Sequence, residues 1–256
     1  MKQNRLIRYT IWGILIICPW ILTSCDMFHE DLPECRLFVK FKYDYNMLFT
    51  DAFHTQVDKV ELYVFDKDGK FLFSQVEEGE ALATGNYQME VKLPIGEYQF
   101  LAWAGARDSY DIYTPRGENT ITDMRLRLKR EESLIISKEL EPLWYGYISD
   151  VDFTGTSHQT ETIDLIKDTN KIRFVFQGYS DSYIRATSGD NWNVNMNDYE
   201  YEIIESNGHL AYDNSLLEDD VLSFRPYYME QKSSSADMYL PVSYTHLRAH
   251  ETRSNL

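Results

Sequence analysis

Apolar side chains recur at every second position along most of this 256-residue chain, and that period limits the fold more than any other feature. Successive side chains of a strand point to opposite faces, so period 2 with little helical period commits a chain to sheets. In residues 36–45, Leu37, Val39, Phe41, Tyr43 and Tyr45 share one side, and Lys40, Lys42 and Asp44 the other. Residues 59–66 set Val60, Leu62 and Val64 against Glu61, Tyr63 and Phe65. Asp68-Gly69 then supplies the dipeptide of a tight hairpin, and Phe71 and Phe73 begin the return. Strands follow at 87–93, at 98–104 after a Pro94-Ile95-Gly96-Glu97 turn, and at 124–129, where Met124, Leu126 and Leu128 oppose Arg125, Arg127 and Lys129. The pattern also fits strands at 144–148, 161–166, 171–177, 199–204 and 221–228. Asp51 to Val57 is the one short helix expected. Strands at roughly ten-residue spacing with turns between them predict an all-β chain built as sandwiches. Residues 149–160 are polar and show no strand pattern, which places a first domain at 36–150 and a second at 158–242.

The two ends read differently from the body. Lys2, Arg5 and Arg8 precede an unbroken apolar run from Ile11 to Leu22. As a helix that run rises only about 18 Å, against a hydrocarbon core of roughly 30 Å, so it is an export signal and not a span. It ends in Leu22-Thr23-Ser24-Cys25, which resembles the bacterial lipobox. That resemblance implies cleavage between Ser24 and Cys25, removal of residues 1–24, and a lipid on the Cys25 thiol. Each buried lipid methylene contributes about 0.8 kcal/mol, so a multiply acylated cysteine is a lasting anchor. Residues 25–35 form an acidic tether with Asp26, Glu30, Asp31 and Glu34, and resemble the surface-export signal of Bacteroidetes lipoproteins. At the other end, residues 243–256 (SYTHLRAHETRSNL) turn abruptly basic and resemble a translated sequencing-adapter peptide. The second sandwich is therefore expected to be incomplete, and His246, His250 and Glu251 are not read as a metal site despite their helical spacing.

Charge removes several classes of function. The chain carries 41 acidic against 25 basic residues and a net charge of −16, which disfavours nucleic acid as a partner. Three cysteines cannot build a disulfide scaffold: Cys18 leaves with the signal, Cys25 is acylated, and Cys35 remains as a thiol beside the tether.

Four segments carry a family resemblance. FKYDYNMLFTDAFHTQVDKVELYVFDKDGKF (41–71), KLPIGEYQFLAWAG (92–105), EPLWYGYI (141–148) and KIRFVFQGY (171–179) resemble recurring stretches of the FimB-type fimbrial anchor and accessory lipoproteins of Bacteroidia. The resemblance implies two tandem transthyretin-like β-sandwich domains, the second truncated here. It further implies a lipid-anchored outer-membrane protein at the cell surface that anchors or helps assemble fimbriae. Its partners would be shaft or accessory subunits, joined by adding a strand to a neighbour's sheet. The physics of that role stands apart from the family: an open sheet edge offers unpaired N–H and C=O groups to a partner's strand.

Catalytic signals are thin, and neither an enzyme, a cofactor nor a metal is expected. Asp66-Lys67-Asp68-Gly69 resembles the opening of a calcium loop, but a hairpin turn accounts for it. Asp150 with Asp152, and Glu131 with Glu132, are pairs that a chain this acidic produces by chance on a solvated face. Two polar loops on a rigid scaffold are the candidates for contact. They are 105–119, with Arg107, Tyr110, Tyr113 and Arg116, and 178–198, with Trp192. The alternative function is a surface glycan-binding lipoprotein that stacks sugars on Trp103, Trp192 or the loop tyrosines.

Overall fold

The computed structural model describes residues 35–155, 157–177, 199–231 and 235–242. The chain divides into two compact units, Met1–Cys35 and Arg36–Leu256. Of the first, only Cys35 is described, and it is exposed. The lipobox, the tether up to Glu34, the loop 178–198 and the tail 243–256 lie outside the described residues.

The second unit is nearly all β, as the alternation requires. Strands β1 (Arg36–Lys42), β4 (Met89–Val91) and β10 (His158–Asp164) make one sheet in the order β10-β1-β4. Strands β2 (Lys59–Asp66), β3 (Phe71–Glu78), β5 (Gly96–Ala104), β9 (Trp144–Phe153) and β11 (Ile166–Lys167) make a second, ordered β11-β9-β5-β2-β3. Between them lies the first core, with Leu37, Val39 and Phe41 from β1 meeting Val60, Leu62 and Val64 from β2 and Phe100 and Ala102 from β5. Each fully buried Leu, Val or Phe among them contributes about 1.5–3 kcal/mol over its exposed state. The expected helix is a single turn, α1 (Phe53–Gln56), with Phe53 stacked on Phe41.

The five-stranded sheet is covered on its other face as well. Tyr63 and Phe65, placed on the polar side of β2 by simple alternation, are 2% and 0% exposed. With Leu101, Trp103 and Tyr145 they form a second core against β6 (Tyr110–Tyr113), β7 (Arg125–Leu128), β8 (Ile135–Ile136), β14 (His209–Ala211) and β15 (Leu222–Phe224). These strands form two small sheets, β14-β7-β6 and, with β13 (Ile203–Glu205), β13-β15-β8. A last sheet, β12-β17-β16, joins β12 (Asn170–Gln177), β16 (Tyr228–Gln231) and β17 (Ser235–Val242).

Three details depart from the sequence reading. The polar segment 149–160 carries strand at both ends: β9 runs through Phe153, with Val151 and Phe153 buried at 1% and 2%, and β10 starts at His158. β10 pairs in parallel with β1 from Arg36↔His158 to Lys42↔Asp164, so residues assigned to the start of the second domain complete the first sandwich. Likewise β14 pairs with β7 and β15 with β8, across the expected boundary. The physical reason is the second apolar face of β2, β5 and β9, which later strands must help to cover. The hairpin at 67–70 also differs from a two-residue turn. Gly69 alone has positive φ (79°), and the Asp66 carboxylate accepts the N–H groups of Asp68 (3.0 Å) and Lys70 (2.8 Å).

Two of the recurring segments meet at one glycine. Gly105, which ends Ala-Trp-Ala-Gly, has φ +74°, and a Cβ there would lie 2.0 Å from the Pro142 carbonyl oxygen and 2.9 Å from the Trp144 ring. The close crossing of 105 and 142 therefore admits only glycine.

Candidate functional site: an open sheet edge

The feature that a strand-adding partner would need is present in β3. β3 pairs with β2 from Lys59↔Glu78 to Phe65↔Phe71 and ends the five-stranded sheet. Among the described residues no strand pairs with its other side, which leaves eight residues of edge. Leu72 and Val76 are 42% and 49% exposed along it. The register shifts between Val64 and Phe65, which leaves Leu72 as an extra residue in β3. Such a bulge twists the end of an edge strand and restricts pairing to the remainder. From Phe73 onward the edge is regular.

The far end of the hairpin is pinned by charge. Arg107 bridges Glu78 (2.5 Å) and Asp58 (3.1 Å), while the Lys59 ammonium donates to the Ala106 carbonyl at 2.8 Å. The Tyr87 hydroxyl donates to Glu77 at 3.2 Å. Arg107, read as part of a recognition loop, thus fixes the edge. The other edges of the sandwich are less available. β4 has three residues and β11 two, and on β10 the Gln159 side chain is tied to the Asp152 carbonyl at 2.7 Å.

The sequence-predicted contact residues separate into two groups. Tyr110 lies within β6, is 5% exposed, and donates its hydroxyl to the Glu141 carbonyl at 2.7 Å; burial raises its pKa. It is a core residue and not part of an interaction loop. Trp103, offered as a sugar platform, is 1% exposed and edge-on to Tyr63 at 6.0 Å, so no ligand reaches its face. Tyr113 (54% exposed) and Arg116 are at the surface as expected. Asp150, Asp152, Glu131 and Glu132 are all exposed. Trp192, Ser24 and Cys25 lie outside the described residues.

One polar pair escaped the sequence reading altogether. Asp168, 3% exposed, accepts from the Asn214 amide at 2.9 Å, and its own N–H donates to the Leu143 carbonyl. Burial pushes its carboxyl up to about 7. Asp168 Oδ2 and Asn214 Oδ1 are both buried with no hydrogen-bond partner. Two orphan acceptors in one contacting pair ask for a proton: a protonated carboxyl gains a donor, and the amide oxygen can take it. Nearby hydroxyls are already committed, Tyr110 to Glu141 and Tyr145 to the Tyr212 carbonyl at 2.9 Å. The arrangement is a structural acid with no nucleophile to serve. Among the described residues, no group of three or more His, Cys, Asp or Glu side chains could hold a metal ion, and no helix is long and apolar enough to cross a membrane.

Comparison with known proteins gives the family. The model of the family described as fimbrillin-A associated anchor proteins Mfa1 and Mfa2 matches residues 32–253, and the chain belongs to that family. The family is one of fimbrial structural proteins and not of enzymes. The minor fimbrium anchoring subunit Mfa2 of Porphyromonas gingivalis is 23% identical over 203 residues, covering 78% of this chain and 60% of that protein. The chain thus spans less than two thirds of that curated relative. The solved structure of the Mfa2 anchor protein from Porphyromonas gingivalis shares the fold, with TM-score 0.65, 18% identity, and 83% and 74% of the two chains covered. A Bacteroides thetaiotaomicron structure named for polysaccharide binding is 66% identical, with TM-score 0.72, covering 81% of this chain and 72% of that one.

Proposed function

We propose that this chain is a lipid-anchored component of the outer-membrane surface that holds fimbriae to the cell. In this reading signal cleavage falls between Ser24 and Cys25, the lipid sits on Cys25, and the body follows as tandem transthyretin-like sandwiches. A fimbrial shaft or accessory subunit joins by strand addition, for which the regular part of β3, Phe73–Glu78, is the edge on offer. The family match over residues 32–253 carries the reading, since it names anchoring and begins just beyond the lipobox. The regular part of the open edge, Phe73–Glu78, supports the mode of contact, because strand addition needs an unpaired strand edge.

Replacing Cys25 by Ala tests the anchor. Metabolic labelling with palmitate should disappear from the protein, and fimbriae should be made and then shed into the medium. Fimbriae that stay on the cell would refute the anchoring role. Glycan binding is the second reading, favoured by the name of the 66% identical relative. With Trp103 and Tyr110 buried, it rests on Tyr113 and Trp192. Saccharide affinity lost on replacing those residues, with fimbrial attachment intact, would put it first.

A further inference from the structure

We propose that the loop Tyr45–Thr50 is a preformed apolar plug that seats in an apolar cleft of a partner fimbrial subunit, with basic side chains at the rim of that cleft. The loop leaves the end of β1 opposite Arg36. Met47, Leu48 and Phe49 are 88%, 70% and 92% exposed, and Tyr45 is 59% exposed. Three consecutive apolar side chains in water are an error unless they serve a contact. They are not there for want of structure, because the loop is built around Asn46. Its side-chain amide donates to the carbonyls of Tyr43 and Thr50, both at 2.8 Å, and its side-chain oxygen accepts the Leu48 N–H at 2.9 Å. The Phe49 N–H closes on the Asn46 carbonyl at 3.2 Å.

The base is held as firmly. The Asp51 carboxylate takes the N–H groups of Tyr43 and Phe53, each at 3.0 Å, and the Ala52 N–H donates to the Tyr43 carbonyl at 2.8 Å. Tyr43, Ala52 and Phe53 are themselves buried. Phe49 has φ +52°, a left-handed conformation that an aromatic residue adopts only against strain. An asparagine or glycine would be at ease there. An apolar ring held in that conformation at 92% exposure gives the fold nothing, so what it gives must come from outside the fold.

Charge selects the occupant. Residues 43–53, YDYNMLFTDAF, hold Asp44 and Asp51 and no basic residue, and the Lys42 ammonium just before them is bonded to Asp44. Membrane-seeking loops flank their apolar tip with Lys or Arg to meet anionic headgroups. This loop has the opposite sign on a chain of net charge −16, which fits a protein cleft with a basic rim. The identity of the partner rests on the fimbrial reading; the plug itself rests on the loop.

The experiment uses the full-length protein in the producing cell. A photo-crosslinking amino acid replaces Leu48, and in a second strain Met47→Gln, Leu48→Gln and Phe49→Asn are combined. Cross-links should fall on one fimbrial subunit, at apolar residues bordered by Lys or Arg. The triple variant should co-purify about thirtyfold less of that subunit, the effect of one strong anchor side chain. Its melting temperature should be unchanged or higher, since Asn suits the backbone at 49. Cross-links to lipid, to the same chain or to a second copy overturn the proposal, as does a triple variant that melts lower or keeps its partner. Equal capture of fimbrial subunits by wild type and variant sinks the plug alone. If the wild type captures none, the fimbrial reading fails and the partner assigned to the plug fails with it.

Discussion

The buried carboxyl of Asp168 should make the stability of this protein fall as pH rises through a range where most proteins are at their best. Its folded pKa of about 7 stands about three units above the ordinary 3.8. Between those values the folded protein keeps a proton that the unfolded chain has released, so each pH unit removes about 1.4 kcal/mol. The stabilisation is full below pH 3.8 and gone above pH 7, a total of about 4 kcal/mol. Burial is nearly complete, so solvent screening does little to reduce it. Asp168→Asn keeps the shape and a polar partner for Asn214 while deleting the titration. Urea unfolding of wild type and variant at pH 4, 6 and 8, read by circular dichroism, isolates the effect from every other group. The variant should gain about 4 kcal/mol relative to wild type between pH 4 and pH 8. Two curves running parallel across that range would show that Asp168 is ionised in the folded state, and the argument from the paired orphan oxygens would be wrong.

Other expectations follow from single contacts. Gly105→Ala places a methyl 2.0 Å from the Pro142 carbonyl and should cost about 4 kcal/mol or more, seen as a large drop in melting temperature or loss of soluble protein. Arg130→Ala removes the closest partner, at 2.6 Å, of an Asp219 side chain that is 0% exposed. Arg127 still reaches the same carboxylate at 3.4 Å, so the loss should cost about 1–3 kcal/mol by denaturant titration. Asp66→Ala deprives two turn N–H groups of their acceptor and should cost about 1 kcal/mol, with the hairpin amides exchanging faster. Tyr113→Ala and Arg116→Ala, both at the surface, should leave the melting temperature unchanged.

Strands with one face toward water could be read from the chain. Leu126 and Leu128 alternate with Arg125 and Arg127, and burial follows that alternation. Where a sheet is covered twice the signal fails: Tyr63 looks like the outward partner of Leu62 until a second layer lies over it. Tyr110 departs for the same reason, since a tyrosine between Ser109 and Asp111 gives no local sign that its ring belongs to the second core with its hydroxyl on the Glu141 carbonyl. Val151 and Phe153 do alternate, and the neighbouring acids Asp150 and Asp152 hide the pattern. Asp168 was beyond reach, because its partner Asn214 lies 46 residues away.

The two surfaces that matter most for assembly were legible in principle, each as a local violation of a rule. β3 carries Gln75 and Glu77 on one face and Ser74 and Glu78 on the other, and a strand polar on both faces belongs at an edge. Met47-Leu48-Phe49 is an apolar run between Asn46 and Asp51 with neither strand nor helix period, inside what alternation marks as a turn. A core residue obeys the pattern of its element, and a residue kept for a partner breaks it. The edge and the loop should therefore be separable by mutation. Polar changes at 47–49 leave every backbone hydrogen bond in place, whereas a proline at Val76 would block pairing on β3 without touching the loop.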